Sequence, residues 1–302
     1  MSNLRELNDS FGLGGILEFA EGPGGLPVAT IRNRAAEATV CLHGAHVMHF
    51  QPAGCAPVLW MSAASDFAPD KPIRGGIPVC WPWFGGHPTD PDKPSHGLAR
   101  ISRWSVADTA APTADETRLV LRLTDTQETR KLWPHAFELT LTITVGRTLR
   151  LDLETKNAGS EPVTITQALH TYFSVSRVTD IAISGFDGCP TLDTVGGANA
   201  SGTQRGDITV SAETDLVIQN CPGDAAINDP GLRRRITITK SGSNSAVVWN
   251  PWIAKAKRMP DFGDDEYPGM VCVETTNARD DRRTIASGGS HCLTAIIAVL
   301  EL

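Results

Sequence analysis

"ELTLTITVGRTLRLDLETKN", residues Glu138 to Asn157, alternates apolar and polar residues on both sides of a glycine. Leu139, Leu141, Ile143 and Val145 share one side; after Gly146, Leu149, Leu151 and Leu153 resume the pattern. Successive strand side chains point to opposite faces, so a period of two marks two antiparallel strands, each with one buried face. The same pattern extends outward in both directions. Upstream, RLVLRLTD sets Leu119, Leu121 and Leu123 on one side, and ILEFAEGPGGLPVATIRN reads as a hairpin whose GPGG supplies the unusual turn angles. Downstream, HCLTAIIAVLEL is apolar on both faces from Leu293 to Leu300, which predicts a central strand packed on both sides and a chain end tied into the sheet. Helical periodicity is scarce, and no internal repeat, low-complexity tract or linker interrupts the pattern. The loosest stretch runs from Val195 to Gly206, with alternating strands on either side. The expectation is an all-β chain of many antiparallel strands forming one domain over residues 1–302.

Composition narrows the function. At 302 residues with 41% hydrophobic content the chain can bury a substantial core, yet it has no apolar run long enough for a membrane helix. Its start, MSNLRELNDSFGLGG, lacks the apolar centre and cleavage site of a secretory signal, so a cytoplasmic protein is expected. Seven cysteines, odd in number and without a CxxC, predict reduced thiols and suggest no zinc site. A net charge of -7 argues against nucleic acid, whose phosphates are held by clustered Lys and Arg. The basic run Arg233 to Arg235 leads into the alternating RITITK and is read as the solvated start of a strand. A monomer acting on a small molecule is expected.

Several stretches carry residues suited to chemistry. In VTITQALHTYFSVS, read as one strand, Val163, Ile165, Leu169 and Phe173 share a face with Gln167 and Thr171, while His170 and Tyr172 emerge on the other among small and polar residues. A lone strand histidine is more often structural, so His170 is only a candidate. In GMVCVETTNA, Val271 and Val273 oppose Met270, Cys272, Glu274 and Thr276. That leaves Glu274 either among apolar neighbours, where burial raises its pKa toward base work, or open to water on an edge strand. RGGIPVCWPWFGG sets Arg74 before a rigid aromatic segment that could hold it toward an anion, and SHGLAR adds His96 and Arg100 a loop away. Trp249, Trp252 and Tyr267 suit either a sugar-facing rim or an ordered loop. In CLHGAHVMHF, a continuous strand would point His46 away from His43 and His49 and keep those two roughly 20 Å apart at ~3.3 Å per residue, so no shared metal is expected without a bulge at Gly44. No P-loop, GxGxxG or GxSxG is present.

Together, RGGIPVCWPWFG, HGLAR, QALHTYF, VVWNPW and MVCVETTNA resemble, in order, the glucose-6-phosphate 1-epimerase (hexose-6-phosphate mutarotase) branch of the aldose 1-epimerase family. The resemblance implies a large antiparallel β-sandwich of the galactose mutarotase type, in agreement with the strand pattern, that interconverts the α and β anomers of a hexose 6-phosphate without metal or cofactor. It implies His170 as catalytic acid and Glu274 as catalytic base, Arg74 and Arg100 on the sugar phosphate, His96 lining the site, and Asp193 on a sugar hydroxyl. Ser95 stands at a substrate-binding position where relatives often carry glutamine, so that contact is lost or made through water. Ala254 likewise replaces a frequent glutamate. Nearby anions should raise the pKa of His170 while burial opposes them, and a bell-shaped pH profile follows. Two other readings remain: a mutarotase of unphosphorylated aldoses, in which the arginines are incidental, and a carbohydrate-binding sandwich without turnover.

Overall fold

The computed structural model describes residues 4–302. The strands Glu116–Thr124, Phe137–Val145 and Leu149–Asn157 lie side by side and antiparallel, with Leu121 opposite Leu141 and Leu141 opposite Leu153. Among the described residues they belong to an eight-stranded sheet in which Ser290–Glu301 lies between Arg234–Ser241 and Leu149–Asn157. A second sheet, also eight-stranded, runs inward from Pro190–Asp193 through Thr214–Ile218 and Ser245–Asn250 to Met270–Asn277. Leu17–Glu21, Pro27–Arg32, Ala36–Cys41 and His46–Pro52 make a four-stranded sheet, its first two strands joined through Pro23–Gly25.

One buried cluster unites Leu141, Ile143 and Ile297 of the first sheet with Leu169, Phe173, Val271 and Val273 of the second and Ile31 and Phe50 of the third. That is the sandwich the resemblance implies, built from the strands the alternation marks, and each such side chain contributes about 1.5–3 kcal/mol by leaving water. The second sheet is buried on its other face too, where Tyr172, Val247, Trp249, Met270 and Cys272 form a separate cluster. All eight residues of Met270–Asn277 are consequently buried.

Five local expectations are corrected. The final strand is central, but it is not packed on both sides along its length: Ile296 and Ala298 are half-buried and Leu300 is 52% exposed. Cys189 and Cys221 are joined in a disulfide; they lie just outside the paired strands Pro190–Asp193 and Thr214–Ile218, which bring their Cα atoms to 5.7 Å. Arg234 is buried, at 3% exposure, and donates to the carbonyls of Ala56, Pro57 and Ser174, so of the basic run Arg233 is exposed and Arg235 half-buried while the middle arginine is structural. VTITQALHTYFSVS is three short strands, Val163–Ile165, Gln167–Leu169 and Tyr172–Ser174, the first pairing with Arg283–Ile285 in a sheet of its own. CLHGAHVMHF is broken by a turn at Gly44 and Ala45, both at positive φ, and His43 and His46 each meet a backbone carbonyl, those of Lys71 and Gly75.

Candidate active site

The break between Gln167–Leu169 and Tyr172–Ser174 is what positions His170. Leu169 pairs with Thr275 and Tyr172 with Cys272, so His170 falls between the two paired segments, opposite the part of the strand that carries Glu274. Its backbone N–H goes to the carbonyl of Pro78 instead, and its ring stacks on Tyr172 with centroids 4.9 Å apart. Glu274 lies on the neighbouring strand, paired with Val247, and points to the same face. His170 Nδ1 and Glu274 Oε1 are 3.4 Å apart on the wall of a cavity of about 210 Å³. Glu274 is 2% exposed and His170 7%, so the open edge-strand alternative for the glutamate does not hold.

Burial governs the charge of this pair. It pushes Glu274 well above the usual carboxyl value, with Asp215 adding to the shift. It pushes His170 well below the usual imidazole value, with Arg74 and then Arg100 adding to that. Of the two opposing influences expected on His170, burial prevails, and the charged neighbours that add to it are the cations Arg74 and Arg100. Both directions favour a protonated carboxyl beside a neutral imidazole. Among the described residues neither His170 Nδ1 nor Glu274 Oε2 has a hydrogen-bond partner, which leaves both atoms available to a ligand.

Arg74 lines the same cavity but is not held by the aromatic segment that follows it. Its Nε and Nη2 donate to Asp261 Oδ2 at 3.1 and 2.9 Å, and its Nη1 donates to Tyr172 Oη at 2.9 Å. Three of its five N–H groups are thereby engaged and two remain. The tryptophans do other things: Trp81 is fully buried and donates from Nε1 to Thr155 Oγ1, and Trp83 donates to the carbonyl of Pro94. Gly76, at φ 56°, is required where it stands, since a Cβ there would lie 2.3 Å from the carbonyl oxygen of Val47.

His96 also lines the cavity, its ring 4.9 Å from Phe84 and 5.6 Å from His170. Burial, then Arg100, holds it well below the usual imidazole value. Arg100 donates from Nη2 to the Ser95 carbonyl at 2.7 Å, and its buried Nε has no partner. Ser95 is exposed, donates its hydroxyl to the carbonyl of Gly85 at 3.4 Å and is not among the residues lining the cavity.

The structure does not bring Asp193 to this cavity. Counting outward from Glu274, the adjacent strand carries Trp249, the next Asp215 and the one beyond it Asp193, which is exposed and accepts from the Val195 N–H at 2.9 Å. Asp215 is the carboxylate on the cavity wall. Lys255 stands beside it, its Nζ 3.2 Å from Glu213 and 3.6 Å from Asp215, over the Trp249 ring at 5.6 Å. Asp215 had a legible signal, since it shares a strand face with Val217, two residues on, as Glu274 does with Cys272. Lys255 and Asp261 had none, because they sit outside the strands and follow no period.

The model of the aldose 1-epimerase family matches residues 27–297. An Escherichia coli K12 protein provisionally named a glucose-6-phosphate 1-epimerase is 35% identical over 271 residues, covering 90% of each chain. One from Cenchrus ciliaris with the same provisional name is 36% identical over 267 residues, covering 85% of this chain and 80% of its own. The crystal structure of the Salmonella typhimurium protein YeaD, provisionally titled a mutarotase, superposes with a TM-score of 0.90 at 30% identity, over 97% of this chain and 96% of that one. A galactose mutarotase-like protein from Clostridium acetobutylicum, at 15% identity and a TM-score of 0.70, shares the fold. With its sandwich and nearly its whole length matched, this chain belongs to the aldose 1-epimerase family.

Proposed function

We propose that this protein interconverts the α and β anomers of a hexose 6-phosphate, glucose 6-phosphate first among them. The observation that carries the reading is the His170–Glu274 pair, 3.4 Å apart on the wall of a cavity that Arg74 also lines. Opening a hemiacetal removes a proton from the C1 hydroxyl and delivers one to the ring oxygen. Both oxygens are bonded to C1, so acid and base must stand close together. A bound phosphate dianion would oppose the influence of Arg74 and Arg100 on His170 and favour a protonated imidazole, with Glu274 giving up its proton. Glu274 then takes the C1 hydroxyl proton while His170 protonates the ring oxygen. Rotation about C1–C2 presents the other aldehyde face, and closure reverses both transfers. The unengaged N–H groups of Arg74 and Arg100 suit the phosphate, and Asp215 suits a sugar hydroxyl in the role the resemblance gave Asp193. The provisional names of the two curated relatives support the same substrate class.

One observation favours the plain aldose reading: Asp261 already neutralises Arg74. NMR exchange measurements on glucose 6-phosphate and glucose separate the two. Faster exchange of the phosphorylated sugar is expected, and equal acceleration of both would leave the arginines without a role in recognition.

Asp215→Asn gives a second check. Burial and then Asp215 hold Glu274 above the ordinary carboxyl value, so removing the negative charge lowers its pKa and keeps the base ionised to lower pH. The acid limb of kcat/KM should move to lower pH, and KM should rise roughly two- to ten-fold for a lost hydrogen bond of about 0.5–1.5 kcal/mol. An unmoved acid limb would contradict the coupling. The reading is completed by a single domain over residues 1–302, supported by one buried cluster reaching from Leu7 to Ile297, and by a monomer working in the cytoplasm, where phosphosugars are handled. The Cys189–Cys221 bond is the feature at odds with a reducing compartment.

A further inference from the structure

We propose that His170, Cys272 and Glu274 form a binding site for a thiophilic divalent cation, Zn²⁺ in the first instance, whose occupation shuts the enzyme off. Among the described residues this is the one group of three or more His, Cys, Asp or Glu side chains whose ligand atoms come together, all within 4.8 Å of one another. The placement follows from strand geometry. Cys272 and Glu274 are two residues apart and so share a face, while Tyr172 pairs with Cys272 and brings His170, two residues before it, across to Glu274.

The donor set matches the ion. An imidazole nitrogen, a thiolate and a carboxylate oxygen are ligands of Zn²⁺, and three protein ligands leave a fourth position for water or an incoming group. Mg²⁺ and Ca²⁺ prefer oxygen and gain little from a thiolate. The group is buried, with Cys272 at 0% exposure, and His170 Nδ1 and Glu274 Oε2 lack partners, so two of the three ligands hold unused lone pairs. Burial keeps His170 neutral, the form that ligates. Bonds of ~2.0–2.3 Å in a tetrahedral array set donors roughly 3.3–3.8 Å apart. His170 and Glu274 already stand at 3.4 Å, so closure asks about 1 Å of the thiol. An ion can arrive from the cavity, because His170 and Glu274 form part of its wall. Binding would release the protons of the Cys272 thiol and the Glu274 carboxyl to solvent.

The metal claim rests on donor geometry; only the inhibition rests on the reading of His170 and Glu274 as the catalytic pair, and two readouts keep these apart. Titrating the intact protein with Co²⁺, with no sugar present, should produce a thiolate-to-metal charge-transfer absorption that Zn²⁺ abolishes and that Cys272→Ala lacks. In anomer exchange, Zn²⁺ should inhibit, EDTA should restore the rate, Mg²⁺ should have no effect, and the sugar phosphate should protect. Cys272→Ala should keep its basal rate and need at least ten-fold more Zn²⁺ for half-inhibition, with Cys272→Ser as the second variant. No charge-transfer band in the intact protein, or equal Zn²⁺ sensitivity without the thiol, would overturn the site. A protein that shows the band but no exchange activity would keep the metal site and refute the catalytic reading alone.

Discussion

Glu274→Gln is expected to lower kcat for anomer exchange by about 10²–10⁴-fold while leaving the fold intact. The amide has nearly the shape of the carboxyl but cannot take a proton from the C1 hydroxyl. Stability should be unchanged or slightly raised, since burial already holds Glu274 toward its uncharged form and glutamine is uncharged at every pH. His170→Asn should lose activity on a similar scale by removing the acid. Because the two residues pass protons to the same hemiacetal, the double variant should lose little more than the worse single one. NMR exchange on glucose 6-phosphate, paired with a thermal melt, reads both quantities. Retention of more than a tenth of the rate by Glu274→Gln would remove it as the base.

The second large effect falls on stability, at Gly97. Its φ is +78°, and a Cβ built there would lie 2.0 Å from the carbonyl oxygen and 2.4 Å from the carbonyl carbon of Trp81, both backbone atoms with no rotamer to yield. The N–H groups of Leu98 and Ala99 both reach that carbonyl, so moving it apart also weakens those bonds. Left-handed strain of about 1–3 kcal/mol and overpacking of about 1–3 kcal/mol together predict that Gly97→Ala loses about 2–6 kcal/mol. Gly196→Ala is the matched control: its φ is +64° but nothing lies within 4 Å of the new Cβ, so only the strain applies. Gly97→Ala should therefore melt well below Gly196→Ala. It should also raise KM, because His96 and Arg100 are carried on the same loop. Equal melting temperatures would show that the approach of Gly97 to Trp81 does not constrain the protein.

Period-two alternation is written residue by residue, because the pleat sends neighbouring side chains to opposite faces wherever the chain is extended. From it alone came the β architecture, the Leu139 to Leu153 hairpin, and the separation of Met270, Cys272 and Glu274 from Val271 and Val273, which the two buried clusters repeat. It also paired His170 with Tyr172 on one face. What alternation cannot encode is which strand lies beside which, or where a loop comes to rest. Those depend on register and on packing between segments far apart in the chain. Only the folded chain brought Glu274 to 3.4 Å from His170, set Asp215 rather than Asp193 on the cavity wall, and laid Asp261 on Arg74. The Cys189–Cys221 bond belongs with these. Two thiols read as separate along the sequence met because two strands between them paired, a contact with no local signature.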